Sequence, residues 1–312
     1  MGVPRASGVP EYGPGGTINY NPEVYSGKLV EKFYKTTVFG EIASTDYEGE
    51  IAGLGANVII RTIPDVTVSD YVIGEGLTPQ YPSRNSVTLS IDKAKSFNVA
   101  LSTVDSRQSD LDMADIFASD GSIQLRIAAD ADMLETIPAD VSSDNQGTTA
   151  GADSGDIDLG SAASPRMLTA GNVVNLFTDC GQVLDEQNVS DEGRWIVVPP
   201  WLINLIKQSD LKIASLAGDG VSILRNGKVG EIDRFTVYQS RNVLRQVSPA
   251  TCNYVPFGHS AGLTFAAQIV ECQMIDNPND FGYLIRGLMV YGYEVIEPQY
   301  LGTAIVAKGP AT

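Results

Sequence analysis

Phe281-Gly-Tyr-Leu-Ile-Arg-Gly-Leu-Met-Val-Tyr-Gly-Tyr-Glu-Val-Ile-Glu-Pro298 sets the architecture of this chain. Alternate positions from Phe281 to Val295 are rich in aromatic and β-branched side chains, the pattern of a β-strand. Leucine, valine and isoleucine on the other face predict that the middle of the strand is covered on both sides. The run of about 16 residues would span roughly 50 Å, whereas ordinary strands have about 5–6 residues. A strand this long predicts a flat, elongated subunit that buries its surfaces against copies of itself.

The composition is that of a folded protein with a substantial core. Of 312 residues, 43% are hydrophobic and 19% are charged, values typical of globular proteins. The apolar runs are much shorter than the 18 or so residues of a membrane span. Residues Met1 to Gly16 contain no apolar segment, so we expect no signal peptide.

Charge and cysteine content exclude several classes of function. The net charge is −17, from 38 acidic and 21 basic residues without a Lys/Arg block, which argues against a DNA-binding domain. This charge is compatible with a shell that encloses DNA without binding it tightly. Cys180, Cys252 and Cys272 are well separated and form no Cys-x-x-Cys pair. We therefore expect free thiols in a reducing cytoplasm, without a disulfide frame or zinc site.

The first half of the chain combines an arm, a hairpin and a long helix. Residues 1–25 are rich in Pro and Gly and predict an extended arm, with a frayed terminus as the alternative. Ser26–Ala43 has helical spacing. Tyr47–Ala100 alternates as two long strands joined by turn-forming residues, which predicts an excursion resting on a neighbouring subunit. The alternative is a hairpin folded onto its own sheet. Ser109–Ile137 predicts a helix of roughly 40 Å, with a weak point at Asp120-Gly121-Ser122.

The second half has an α/β pattern that follows a linker. Ala139–Ser164 contains mostly Gly, Ser, Thr, Ala and Asp, a composition typical of a linker. Thr169 is expected to cap a helix through about Gln187. The further predicted elements are strands at Arg194–Val198, Phe235–Tyr238, Cys252–Phe257, Gln268–Cys272 and Leu301–Val306, a helix opened by Pro199-Pro200, and a short helix near Ser260.

Gly258-His259-Ser260-Ala261-Gly262 matches the Gly-x-Ser-x-Gly pattern of serine hydrolases. His259 is the only histidine of the chain, and a residue next to the serine in sequence is poorly placed to take its proton. We therefore expect Ser260 to cap a helix and keep a hydrolase around Ser260 only as a remote alternative.

No other pattern predicts catalytic, cofactor-binding or metal-ligating residues. Asp153, Asp156 and Asp158 lack the spacing, glycine and terminal glutamate of an EF-hand, so we interpret them as a solvated acidic loop. The Gly-x-Gly pairs at 74–76 and 218–220 lack a Walker lysine and a dinucleotide pattern.

Several segments, taken in their order along the chain, resemble those of a known family. They are Trp195–Leu202, Gly230–Val243, Phe257–Ala266, Glu271 and the Phe281–Pro298 pattern. In their order and spacing they resemble the major capsid proteins of tailed bacteriophages, the HK97-like family, roughly from Ser26 to Val306. Asp233 departs from the pattern, because family members often have Gly before the strand aromatic.

The resemblance implies an α+β HK97-like fold. The implied division is an N-terminal arm (1–25), a first helix (26–46), an extended loop (47–100), a peripheral domain with spine helix and linker (101–163), an axial α/β domain (164–272) and the peripheral domain's C-terminal strands (273–312).

The same resemblance implies a major capsid protein without enzymatic activity or cofactor. Such a chain self-assembles in the bacterial cytoplasm into hexamers and pentamers of an icosahedral shell that encloses DNA. The implied partners are a scaffolding protein, a portal and a decoration protein, with no membrane. Since residues 1–25 alone precede the first predicted helix, scaffolding is expected from a separate protein or a removed segment. A tail or decoration protein is the alternative.

Exposed charges of the extended loop are the candidate intersubunit contacts. They are Glu75, Arg84, Lys93 and Lys95. Each exposed ion pair would contribute about 0–1 kcal/mol, and a solvated charge is the alternative for each.

Overall fold

The computed structural model describes residues 34–35, 37–45, 57–61, 66–68, 70, 74, 76, 79–81, 86–103, 113–209, 230–278 and 280–310. The predicted arm at 1–25 lies outside these ranges. Within them, no helix combines the length and apolar character needed to cross a membrane.

The described residues form helices and strands in an α+β order. The helices are α1 (Phe39–Ile42), α2 (Met113–Thr136), α3 (Val173–Glu186) and α4 (Pro200–Gln208). The strands are β1 (Asn57–Arg61), β2 (Ser86–Ser90), β3 (Lys93–Ser102), β4 (Arg166–Leu168), β5 (Arg194–Val198), β6 (Glu231–Ile232), β7 (Phe235–Gln239), β8 (Arg245–Gln246), β9 (Cys252–His259), β10 (Leu263–Asp276), β11 (Gly282–Val295) and β12 (Leu301–Lys308).

The strand predicted from Phe281 to Pro298 is the centre of a three-stranded antiparallel sheet in the order β10-β11-β3. It has 14 residues, slightly fewer than expected. Its neighbour β10 also has 14 residues, so it is far longer than the predicted Gln268–Cys272. The difference arises because β10 pairs with β11 from Leu263 to Asp276, and such pairing cannot be deduced from the sequence of β10 alone.

Helix α2 packs along this sheet and continues through Gly121, so the expected weak point does not break the helix. The ring of Phe97, on β3, lies between Gly121 of the helix and Gly287 of β11. A Cβ at either glycine would collide with that ring. The two glycines therefore allow a close approach of helix and sheet.

The predicted excursion at 47–100 is described in part. Strands β1 and β2 pair antiparallel, from Asn57 opposite Ser90 to Arg61 opposite Ser86. The first of the two predicted long strands is not continuous, because the described residues 66–68 and 70 are not in a strand. Leu89 is buried with Ala266 of β10, so the base of the excursion packs on its own chain.

The second sheet has the order β4-β12-β9-β5-β7-β6, with β8 beside β9. Strands β4, β12, β5 and β7 run in one direction and β9 runs against them. Helices α3 and α4 cover it through a core that includes Phe177, Leu202 and Phe257. Residues 273–312 were expected to form one group of strands with the long strand β11. Strand β12 pairs in the second sheet instead.

The segment at 139–164 is folded, contrary to the linker predicted from its composition. Ala150, Ile157 and Leu159 are buried in the core of the second sheet. The N–H of Ile305 donates to the carbonyl of Leu159 at 2.8 Å. A few apolar residues and main-chain hydrogen bonds thus order a segment that is mostly polar.

Helix α3 begins later than predicted. Its first residue is Val173 and Asn172 occupies the N-cap position, whereas Thr169 was the expected cap. The Asn172 Oδ1 atom instead accepts the N–H of Thr169 at 2.7 Å. The predicted cap therefore belongs to a turn before the helix.

Candidate assembly interface

The four predicted intersubunit charges are only partly described. Glu75 and Arg84 lie outside the described residues. Lys93 and Lys95 lie on the same face of β3, half-buried, opposite Tyr291 and Met289 of β11. Whether any of the four contacts a neighbouring subunit stays a prediction.

Lys93 has partners within its own chain. Its Nζ lies 3.4 Å from Asp132 Oδ2 and 4.6 Å from the centre of the Tyr293 ring. A hydrogen bond with Tyr293, which outweighs partial burial, and the charge of Asp132 raise the pKa of Lys93. Among the described residues, none of the ion pairs includes Lys95. Lys95 is therefore the freer of the two for a contact outside the subunit.

Asp132 connects the helix to the sheet through two tyrosines. Tyr291 donates its hydroxyl to Asp132 Oδ2 at 3.0 Å, and Tyr293 donates to the Asp132 carbonyl at 3.1 Å. Burial, followed by the hydrogen bond to Asp132, raises the pKa of Tyr291. The sequence pattern indicates only that both tyrosines are strand residues, because their partner Asp132 is about 160 positions away.

Large apolar side chains are exposed at the end of the β10–β11 hairpin. Phe281 is 87% exposed and Met274 is 56% exposed, with Tyr283 beside them. Val66, Val68 and Tyr81 are exposed between β1 and β2. Contiguous exposed apolar surface is typical of sites that bind another protein.

A buried arginine stabilises the amino-terminal edge of the second sheet. The fully buried Arg194 guanidinium donates to Asp185 Oδ1 and to the Val189 carbonyl, each at 2.7 Å. Arg234 also donates to Asp185, at 2.9 Å. Burial alone would raise the pKa of Asp185, but hydrogen bonds from Arg234 and Arg194 outweigh it and lower the pKa.

The β6–β7 turn explains the departure at Asp233. Asp233 and Arg234 are the two residues between the paired strands, with φ of 46° and 67°. Positive φ at both central positions is typical of a tight hairpin turn, where Asn, Asp and Gly are favoured. The aspartate can therefore occupy the position where glycine is common in the family.

The backbone matches solved phage structures over most of its length. A chain from Mycobacterium phage Che8 is similar with a TM-score of 0.75 at 24% identity, over 91% of this chain and 97% of that one. A chain of the capsid of Cyanophage P-SCSP1u has a TM-score of 0.71 at 15% identity, over 96% and 97% of the two chains. A chain of the mature capsid of bacteriophage PhiM1 has a TM-score of 0.67 at 14% identity, over 96% of each chain.

This chain has the HK97-like capsid fold. The α+β fold predicted from the sequence is thereby confirmed. Neither a protein-family model nor a curated protein matches the sequence. The similarity is therefore carried by the backbone, at identities too low for sequence comparison alone.

In this capsid fold the Gly-x-Ser-x-Gly pattern forms a turn. Ser260–Gly262 is a single 3₁₀ turn, and His259 is its N-cap, because His259 Nδ1 accepts the N–H of Ala261 at 3.0 Å. The expectation that Ser260 is the cap was therefore wrong by one residue. Among the described residues, no carboxylate forms an ion pair or hydrogen bond with His259.

The acidic loop of the capsid-fold chain is held by Glu186, at the end of α3. Glu186 Oε2 accepts the N–H groups of Asp153 and Ser154 at 2.9 and 3.1 Å. Burial opposes ionisation, but these hydrogen bonds outweigh it and lower the pKa of Glu186 to about 2. Within the described ranges, no group of three or more His, Cys, Asp or Glu residues is arranged to hold a metal ion.

Proposed function

We propose that this chain is the major capsid protein of a tailed bacteriophage, which self-assembles into the hexamers and pentamers of an icosahedral shell enclosing the phage DNA. One observation carries the proposal. The backbone is similar to phage capsid chains over nine-tenths or more of both chains.

Further features support this function. The exposed Phe281 and Met274 offer apolar surface for burial between subunits. Similarity to structural proteins of phage shells supports a non-enzymatic role, in agreement with the use of His259 as a main-chain cap.

The proposal includes the division of the chain and its partners. The α2 helix and three-stranded sheet would form the peripheral domain, and the second sheet the axial domain around the hexamer and pentamer axes. Assembly would occur in the bacterial cytoplasm with a scaffolding protein and a portal, and with a decoration protein on the finished shell.

Electron microscopy of the expressed chain tests this function. We expect closed shells when the chain is produced in bacteria, alone or with the scaffolding protein of the same phage. Tubes would indicate a tail protein instead. A chain that stays monomeric under both conditions would contradict the proposal.

A further inference from the structure

A cavity of about 420 Å³ lies at one edge of the second sheet. Its walls include Pro199-Pro200, directly after β5, Arg241, two residues after β7, and Lys308, the last residue of β12. These strands run in the same direction, so the cavity lies outside their carboxyl ends. Crevices at this edge of an open α/β sheet are common binding sites.

Three cations surround this cavity. Arg241, Arg245 and Lys308 line it and are exposed, and no acidic residue lines it. None of the ion pairs among the described residues includes any of the three. Like charges that converge on one cavity repel one another and attract an anion. Such a concentration of positive charge contrasts with the net charge of −17 of the chain.

The cavity wall is preorganised on its helix side. Trp201 of α4 lines the cavity and donates its Nε1–H to Asn253 Oδ1 at 3.0 Å. This hydrogen bond connects the first turn of α4 with β9, so the wall is fixed before any ligand arrives. A fixed wall lowers the entropy cost of binding.

The acidic loop has the complementary charge. Asp153, Asp156 and Asp158 are exposed, and no basic residue lies between Ala150 and Gly160. The N–H of Ala150 donates to the Ile157 carbonyl at 2.8 Å, and the N–H of Ile157 donates back at 3.0 Å. Together with the hydrogen bonds from the loop to Glu186, this pairing presents the carboxylates on an ordered loop.

The cavity and the loop are separate surfaces of one chain. The loop is bonded to Glu186 at the end of α3, whereas the cavity lies beyond the carboxyl end of β5. Neither Asp153 nor Asp156 lines the cavity, and among the described residues neither forms an ion pair with its cations. The two patches therefore do not meet within one chain. Two different complementary patches on one subunit are what a head-to-tail ring contact requires.

We propose that the cavity lined by Arg241, Arg245 and Lys308 binds the acidic loop of an adjacent copy, with Asp153 and Asp156 as the contacting carboxylates. This inference rests on the proposed self-assembly and identifies one contact between its subunits. A nucleic-acid phosphate is the competing anion, but the net charge of −17 opposes binding to DNA.

Charge exchange between the two patches tests the contact. Arg241→Glu with Arg245→Glu is expected to lower the yield of shells at least tenfold, and so is Asp153→Arg with Asp156→Arg. The four changes combined are expected to restore much of the yield, because the pair of patches then has inverted but still complementary charge. Shells are counted by electron microscopy and sedimentation, and circular dichroism verifies that each variant folds.

A charge-matched control separates the cavity from net charge. Lys207→Glu with Arg286→Glu changes the charge equally at residues outside the cavity, and we expect normal shells. If the control fails as the cavity variant does, or if both patch variants assemble normally, the inference is overturned. Equal failure of the combined variant would also overturn it.

Two further results distinguish failure of this inference from failure of the proposed function. If a duplex oligonucleotide binds the wild-type chain and binding is lost in the cavity variant while shells still form, the occupant is a nucleic-acid phosphate and the inference is wrong. A wild-type chain that forms no shells would instead overturn the proposed function itself, and the inference with it.

Discussion

Asn242 donates a hydrogen bond from Nδ2 to Oδ2 of the buried Asp130 at 2.7 Å. The other oxygen of this carboxylate accepts the N–H groups of Val38 and Phe39 at 2.7 and 3.0 Å. Asp130 belongs to α2, Phe39 begins α1, and Asn242 follows β7 of the second sheet. A single carboxylate thus joins the long helix to the first helix and to the other sheet.

Asp130→Ala should lower the free energy of unfolding by about 2–4 kcal/mol, because buried donors lose their acceptor. Urea unfolding of the unassembled chain measures this. Asp140→Ala, at an exposed position, is the control and should stay within about 0.5 kcal/mol of wild type. A loss below 1 kcal/mol for Asp130→Ala would contradict this role.

The contribution of the Asp130 carboxyl group to folding stability should depend on pH. Burial, which outweighs the hydrogen bonds from Asn242, Val38 and Phe39, raises the pKa of Asp130. The folded state therefore holds this proton more tightly, so the contribution of Asp130 to stability falls as the pH rises from 3.8 through the folded pKa. NMR titration of the Asp130 carboxyl carbon should show a midpoint above 3.8; a midpoint below it would contradict this assignment.

Glu186 should have the opposite pH dependence. Its pKa is lowered from 4.5 to about 2, so its stabilising contribution is present above pH 4.5 and is lost as the pH falls towards 2. Glu186→Gln should therefore destabilise the chain at pH 7 and have a smaller effect at pH 2, as measured by urea unfolding. Glu192→Gln, at an exposed glutamate, is the control. An equal effect of Glu186→Gln at both pH values would exclude the charge as the cause.

Gly121→Ala should destabilise the chain by about 1–3 kcal/mol, because the new Cβ collides with the ring of Phe97. Helix propensity alone predicts the opposite sign, a gain of about 1 kcal/mol. Gly40→Ala is the matched control in α1, since nothing lies within 4 Å of its Cβ position. Thermal unfolding compares them, and Phe97→Ala should reduce the cost of Gly121→Ala. A stabilising Gly121→Ala would refute the close contact.

Lys93 and Lys95 should respond differently to charge reversal. Lys93→Glu places a carboxylate beside Asp132 and should lower the stability of the unassembled chain. Lys95→Glu should leave that stability unchanged but reduce shell yield if Lys95 contacts a neighbouring subunit. Unfolding and shell counts on the same preparations separate the effects. Normal shells from Lys95→Glu would remove Lys95 from the candidate contacts.

Ser260→Ala should assemble normally, because Ser260 begins a turn that His259 caps. A serine-directed phosphonate probe should not label the wild-type chain. Covalent labelling of Ser260 would revive the hydrolase alternative.

Local patterns were sufficient to predict most of the elements. The alternation from Phe281 to Val295 predicted β11, and the helical stripe from Ser109 to Ile137 predicted α2. Both predictions succeeded because burial of one face imposes a period on the residues of a single element. The α+β class was implied by the resemblance to the capsid proteins of tailed bacteriophages, which several segments carry in their order and spacing.

Contacts between residues that are distant in sequence could not be predicted from local patterns. Only the tertiary structure reveals them. Asp130 meets Val38 across 92 positions and Asn242 across 112, so no local pattern marks it as a junction. The segment at 139–164 is folded because its backbone pairs with β12, nearly 150 positions later, where the Ile305 N–H donates to the Leu159 carbonyl. Gly121 was predicted as a weak point of the helix, yet the helix continues through it and the ring of Phe97 packs closely against it. Local sequence specifies which face of an element is apolar, whereas contacts across the chain decide what covers that face.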